Sequence, residues 1–431
     1  MAQEKTAARP PRLGSDYWKF WAGQTISNLG SSFTFFALPL LVYELTGSAL
    51  NLALTTASEF VPYLLFGLVI GAWTDRLDRK KLMINVDLLR AAALCTIPLL
   101  YFADTLVVEW IYGVGFVVST LNIFFDSSQY AAIPNLVDKD DLVTANGRIQ
   151  ASYSGAQVAG PIVAGALVAL LPIATVLFFD ALTFILSAVS LWVIPTSFNQ
   201  KTDEAAERKS LRKDVAEGLK LVWSHPVLRN ISIMMALYNL IGTTVFTQLV
   251  LFADVRLGAT DSQTALLFSS GSAGIMITGL LAGRLRRRWS FSTVALGALA
   301  IDGLMMILFS QMTSFWVALP IYGVGVGFGL LFNIQTISLR QLIVPNHMLG
   351  RIMSIAGVLA WSAIPLGAYA GGIAIEATGD VALVYAVIGI VTTLIPLGFA
   401  FTALGRADRF MPAGDQPEAD RETEAALVSG D

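Results

Sequence analysis

Thiols, imidazoles and charge are all scarce in this chain, and each scarcity closes a class of function. One cysteine, Cys95, stands among 431 residues. It sits in an apolar run, so no disulfide framework can form. The two histidines, His225 and His347, lie far apart and between apolar runs. One thiol and two distant imidazoles are too few for a zinc-type site. No nucleophile is paired with a histidine inside an apolar run, which argues against a membrane-embedded hydrolase or transferase. Only 14% of residues are charged, against about 25% in soluble domains. The basic residues form no patch beyond the loop bias described below, so nucleic acid is not an expected partner.

The apolar residues take the space that charge leaves: 55% of the chain is hydrophobic and the mean hydropathy is +0.66. Twelve runs are long enough to span hydrocarbon. Their limits are 17–42, 50–74, 82–103, 109–133, 147–170, 173–195, 227–252, 263–284, 291–311, 316–340, 350–377 and 381–404. Backbone groups in lipid need partners within their own segment, so these runs read as helices. The first run is too long for a signal h-region and no A-x-A site follows it, so no cleavage is expected. An even number of spans puts both ends of the chain on one side. All but Arg90 and Arg256 of the 28 basic residues fall on that side. The bias predicts cytoplasmic termini.

The chain also repeats itself. Ile111-Tyr112-Gly113-Val114-Gly115 recurs as Ile321-Tyr322-Gly323-Val324-Gly325. Asn122-Ile123 and Pro134-Asn135 recur as Asn333-Ile334 and Pro345-Asn346. GAWTDRLDRKK (Gly71–Lys81) has a degraded echo in GLLAGRLRRR (Gly279–Arg288). Two bundles with one layout and a site between them are expected of a transporter. The divisions read as a cytoplasmic tail at 1–16, a six-helix bundle at 17–195, a linker at 196–226, a second bundle at 227–404 and an acidic, disordered tail at 405–431. In the linker, Leu211, Val215, Leu219 and Val222-Trp223 recur at helical spacing. They predict an amphipathic helix on the inner membrane face.

Between the second and third runs stands Gly71-x-x-x-Asp75-Arg76-x-x-Arg79-Lys80-Lys81. Gly71 permits close helix contact, and Asp75 can pair with a cation or face a helix N-terminus. This string resembles the loop signature of the major facilitator superfamily, and two six-helix halves fit that family. The chain departs from the pattern at Asp78, where the family has glycine. The resemblance implies that Asp75 latches the halves in the outward-facing state. Gly283 stands at the matching position of the second half, so the latch would be one-sided. In the fifth run, Gly155, Gly160, Pro161 and Gly165 supply close packing and a missing ladder bond. AQVAGPIVAGALV (Ala156–Val168) resembles the fifth-helix motif of the family's antiporters, largely drug–proton exporters. Gly23–Leu50, Thr56–Gly67, Ala131–Val137 and DALTF (Asp180–Phe184) resemble the branch holding the enterobactin exporter and macrolide efflux pumps.

Ionisable groups at membrane depth are the best functional candidates, because each is costly in lipid. Glu59, three residues before Pro62 in the second run, is expected to carry a proton. Asp126, with Asn122 and Tyr130 one turn away on either side, is expected to serve substrate charge or a second proton. Asp180 reads as structural, since sixth helices of the resembled family pack at the periphery. Asp87 and Arg90 are three apart and should pair. Asp302 and Glu376 are weaker candidates, and Arg340 is expected to snorkel toward the membrane surface. In the resembled family the first, fourth, seventh and tenth helices line a central cavity. On them the expected lining is Gln24, Asn28, Phe35, Asn122, Tyr238, Gln248, Phe332 and Asn333. Aromatics with a few amides suit a bulky amphiphile better than a sugar.

The reading is an all-α membrane protein of twelve helices that exports a hydrophobic or amphiphilic small molecule by proton antiport. It needs no cofactor beyond the ion gradient, and is expected to act as a monomer in a bacterial inner membrane. Export of a native metabolite such as a siderophore is the nearest alternative. A non-transporting membrane sensor is the alternative of a different class, and the short loops leave it no output domain.

Overall fold

The computed structural model of the chain describes residues 13–74, 77–138, 141–199, 211–344 and 346–410. Among them all regular structure is helical. The first half holds α1 (Ser15–Thr46), α2 (Ala49–Thr74), α3 (Arg79–Phe102), α4 (Val108–Ala132), α5 (Leu142–Val168) and α6 (Ile173–Trp192). After α7 (Leu211–Ser224), the second half holds α8 (Pro226–Thr247), α9 (Leu249–Leu257), α10 (Asp261–Arg288) and α11 (Phe291–Ser310). It continues with α12 (Phe315–Ile343), α13 (Asn346–Trp361), α14 (Ala363–Thr378) and α15 (Val381–Ala400). Eleven spans are long and apolar enough to cross a membrane among the described residues. α5 is too polar for that measure, yet its 27 residues reach about 40 Å at 1.5 Å per residue. It completes twelve spans of a multi-pass membrane protein.

Local chemistry sets the ends of these helices. α1 stops at Gly47, whose φ is 59°, and α9 stops at Gly258, whose φ is 56°. Left-handed backbone favours glycine, so the two halves use the same stop after their first span. Asp78, the departure from the loop signature, caps α3 by accepting the Lys81 N–H at 3.1 Å. Two of the expected runs are divided. The run 227–252 breaks at Gln248 between α8 and α9. The run 350–377 breaks at Ser362, where Pro365 has no N–H to give the Trp361 carbonyl.

The halves share one apolar core and keep others apart. At the face away from the chain ends, Phe36, Leu41 and Leu52 of the first half pack in one cluster with Val245, Phe252 and Phe268 of the second. At the terminal face the first half packs its own core around Tyr17, Phe20 and Phe198. The second half packs a separate one around Ile231, Phe291 and Leu404. Glycine brings the helices close at the far face. A Cβ on Gly372 would lie 2.8 Å from that of Ala53. One on Gly165 would collide with Ala265 across the divide. α7 packs Val222 against Leu228, Val344 and Ile352, while Leu219 and Trp223 stay exposed.

Asp75, Arg76 and the tails at 1–12 and 411–431 lie outside the described residues.

Candidate functional site

Polar bonds close the far face between the halves. Tyr43 donates to Asp254 at 2.8 Å. Glu376 accepts from the Ser48 hydroxyl at 2.6 Å and the Leu50 N–H at 3.2 Å. Gln248 donates to the Ala49 carbonyl at 2.7 Å, and Ser262 to the Gly165 carbonyl at 3.2 Å. Glu376 thus ties α14 to the start of α2, a role that nothing in the local sequence announces.

Between the halves lies a cavity of about 650 Å³, a size that suits a drug-like ligand. Tyr63 and Leu64 of α2 wall one side; Tyr238, Asn333 and Arg340 wall the other. Tyr63 and Trp361 meet edge to face across it, ring centres 5.9 Å apart. Its wall reaches Arg340 and Met353, toward the terminal-face ends of α12 and α13. No carboxylate lines it among the described residues. Asn239 is already engaged, donating to the Ala360 carbonyl at 2.9 Å.

Two more cavities belong to the first half. One, of about 600 Å³, is lined by Gln24, Asn28, Arg90, Asp126, Gln129 and Gln150, among others. The other, of about 160 Å³, holds Glu59, Asp180, Thr34, Ser119 and Asn122. Ser31 lines both. Arg90 stands at their junction. It pairs with Asp87 and donates to Asn122 at 2.8 Å. Its guanidinium also lies 4.3 Å from the ring centres of Phe125 and Phe184. Asp180 accepts from Thr34 and, at 3.2 Å, from Thr183. A polar seam therefore runs inside the first half from Asp126 past Arg90 to Glu59 and Asp180.

Several expected lining residues lie elsewhere. Gln248 is fully buried in the far-face closure and does not reach the central cavity. Phe332 is fully buried in the second half's core, against Tyr238 at 5.9 Å. Phe35 packs on Phe246 and Phe268 and borders the Glu59 cavity. Gln24 and Asn28 face the first half's own cavity, and Gln24 donates to Ser187 at 3.1 Å. Helical spacing tells which residues share a face; it does not tell which neighbour that face meets. Arg340 does not snorkel: it is 4% exposed in the cavity wall. Asp180 stands in one cavity with Glu59, bonded to Thr34 and Thr183, while α6 keeps an exposed side at Leu182, Ile185 and Val189. The Thr183 one turn on, inside the quoted DALTF string, was the available signal. In α5, Gly160 packs on Ser32 and Gly165 on Ala265, while Gly155 faces open space. Arg79 reaches the Phe198 carbonyl at 3.4 Å.

Residues 20–368 match the sequence profile of the Major Facilitator Superfamily. The chain is 26% identical to Macrolide efflux protein A of Streptococcus pyogenes over 358 residues, covering 81% of this chain and 87% of that protein. It is 25% identical to Multidrug efflux pump Tap of Mycolicibacterium fortuitum over 386 residues, covering 85% and 92%. Among solved structures it superposes on the nucleoside transporter NupG with a TM-score of 0.73 at 12% identity, covering 91% and 99%. A bacterial homolog of the human lysosomal transporter Spinster, inward-facing and unoccupied, gives 0.71 at 14% identity, covering 93% and 98%. These likenesses at low identity concern the fold.

Proposed function

Because the chain belongs to the major facilitator superfamily, we propose that it is a secondary active exporter of hydrophobic or amphiphilic small molecules, driven by proton antiport. One observation carries this reading: a largely apolar cavity of about 650 Å³ between two halves that meet at the far face and separate toward the chain ends. With the termini in the cytoplasm, as the basic residues favour, the structure is the cargo-loading state. Cargo enters from the cytoplasm or the inner leaflet of a bacterial inner membrane and rests on Tyr63, Tyr238 and Trp361. Rocking the halves breaks the Glu376, Tyr43 and Gln248 contacts and opens the far face. The efflux names of the two relatives support export over uptake.

The proton works in the first half. Glu59 borders a cavity large enough for several waters. The seam through Ser31, Asn122 and Arg90 links that cavity to Asp126. A proton taken at Glu59 from the far side and released through this seam would neutralise a group that is costly when charged in lipid. The test is efflux of dansyl-phenylalanine and of the neutral dye Nile red from cells expressing the chain, with and without a protonophore. Energy-dependent efflux abolished by the protonophore is expected; efflux that resists it would sink the coupling.

A further inference from the structure

Among the described residues, Arg340 is a cation without a partner. It lies near the terminal-face end of α12, 4% exposed, in the wall of the central cavity. No ion pair or hydrogen bond engages its guanidinium among the described residues, and its Nη2 is buried with nothing to bond. Arg90 shows what this chain does with a structural cation: a carboxylate, an amide and two aromatic rings surround it. An arginine cannot shed its charge, and a buried charge without a counter-ion is costly. No described carboxylate lines the cavity, so none of the described acids is its partner and the guanidinium is left available to an anion that enters the cavity.

We propose that the central cavity takes amphiphiles that carry an acidic group, a carboxylate or a phosphate, and that Arg340 docks that group. The planar guanidinium offers paired donors that match either anion. Tyr63 and Trp361, which line the same cavity, offer their rings to the apolar body. The assignment rests on the export reading, because it names the cargo class of the same cavity. It makes Arg340 a specificity residue and leaves the proton seam untouched.

The test uses the purified full-length protein in lipid-free neutral detergent, with energy transfer from tryptophan to a dansyl probe. The probes are dansyl-phenylalanine, which carries a carboxylate, and its methyl ester, which does not. The parent should bind the acid about tenfold tighter than the ester, as a charge-assisted bond implies. Arg340→Gln should bring the two together by weakening the acid alone, and Arg340→Lys should keep part of the preference. Equal binding of acid and ester by the parent overturns the proposal without any variant. So does an unchanged ratio in Arg340→Gln. Inorganic phosphate that abolishes the parent's preference at low millimolar concentration would assign Arg340 to a free anion and overturn it too. Acid-selective binding in a protein that fails the protonophore test would support this site while removing the export reading. Driven dye efflux without acid preference would do the reverse.

Discussion

The repeated string puts a glycine beside a carboxyl in each half, half-buried Glu59 in the first and buried Asp302 in the second, and the two carboxyls have opposite fates. In the first half, Gly115 faces Glu59, with an added Cβ 3.6 Å from the Glu59 Cγ. In the second, Gly325 faces Asp302, with an added Cβ 3.4 Å from the Asp302 Oδ1. Glu59 opens on about 160 Å³ of space, shared with Asp180 and four other polar side chains. Asp302 borders about 30 Å³ and is held by the Tyr238 hydroxyl at 3.0 Å. One scaffold thus carries a carboxyl with room to exchange a proton through water and a carboxyl that is sealed. The repeat offsets extend the contrast. Glu59 corresponds to Leu267, and Asp126 to Ile337. The second half has put apolar side chains where the first keeps acids. The frame is common to both halves, but the polar side chains are not: the first keeps Glu59, Asp126 and Asp180 around its own cavities, and the second supplies most of the central wall, Arg340 included.

The largest effect should come from neutralising the two carboxyls in turn. Glu59→Gln keeps the shape of the side chain but cannot titrate. In proteoliposomes it should bind cargo and lose all accumulation driven by a pH gradient. Asp302→Asn should keep driven transport, because Asp302 has no aqueous path. Accumulation by Glu59→Gln at the parent's level would move the proton to Asp126 or Asp180. Loss of drive in Asp302→Asn would erase the division between the halves.

The frame of this comparison was legible in the sequence, and its interior less so. Spans were readable because lipid allows few backbone solutions, so length and hydropathy nearly decide them. The break at Gln248 was not, because no proline or glycine marks it; the side chain leaves the helix to bond Ala49 across the halves. Glu59 was readable as a costly group at depth. Its company with Asp180 was not, since α2 and α6 are distant in sequence and only packing around Ser31 and Asn122 joins them. Arg340 misled for a related reason. Its place near a helix end suggests a surface cation, and only tertiary packing turns it inward.

The two buried arginines give a second, smaller contrast. Asp87→Ala would strand Arg90 between Phe125 and Phe184 with its charge unpaired. Breaking a buried pair in this way costs about 3–5 kcal/mol. The detergent-solubilised variant should melt well below the parent. Arg340→Gln removes a charge that has no partner, so it should melt no lower than the parent. If both substitutions lower the melting temperature equally, Arg340 is structural, and the contrast between a braced cation and a waiting one fails.

The smallest expected effect concerns how each half begins. α1 starts after Gly14, with no side chain capping its first turn. α8 starts after His225, whose Nδ1 accepts the Leu228 N–H at 3.4 Å. His225 is half-buried against Phe410, ring centres 5.6 Å apart, and burial holds its pKa below the usual 6.5. The folded state therefore favours the neutral ring, the only form with a lone pair to accept the bond. The sign follows from linkage: this contribution is complete above the unfolded value of about 6.5 and is lost as the pH falls below it. A long bond on a partly exposed residue belongs at the weak end of capping, about 0.5 kcal/mol. Lowering the pH from about 7.5 to about 5.5 should thus roughly double local opening at Leu228 and Arg229. Hydrogen exchange, corrected for intrinsic pH dependence, should show that step at α8 and none at Tyr17 and Trp18 of α1. His225→Asn keeps an accepting oxygen without titration, so the step should vanish while the cap persists. A step that survives in His225→Asn would place the pH response in another group and leave the two starts alike in acid.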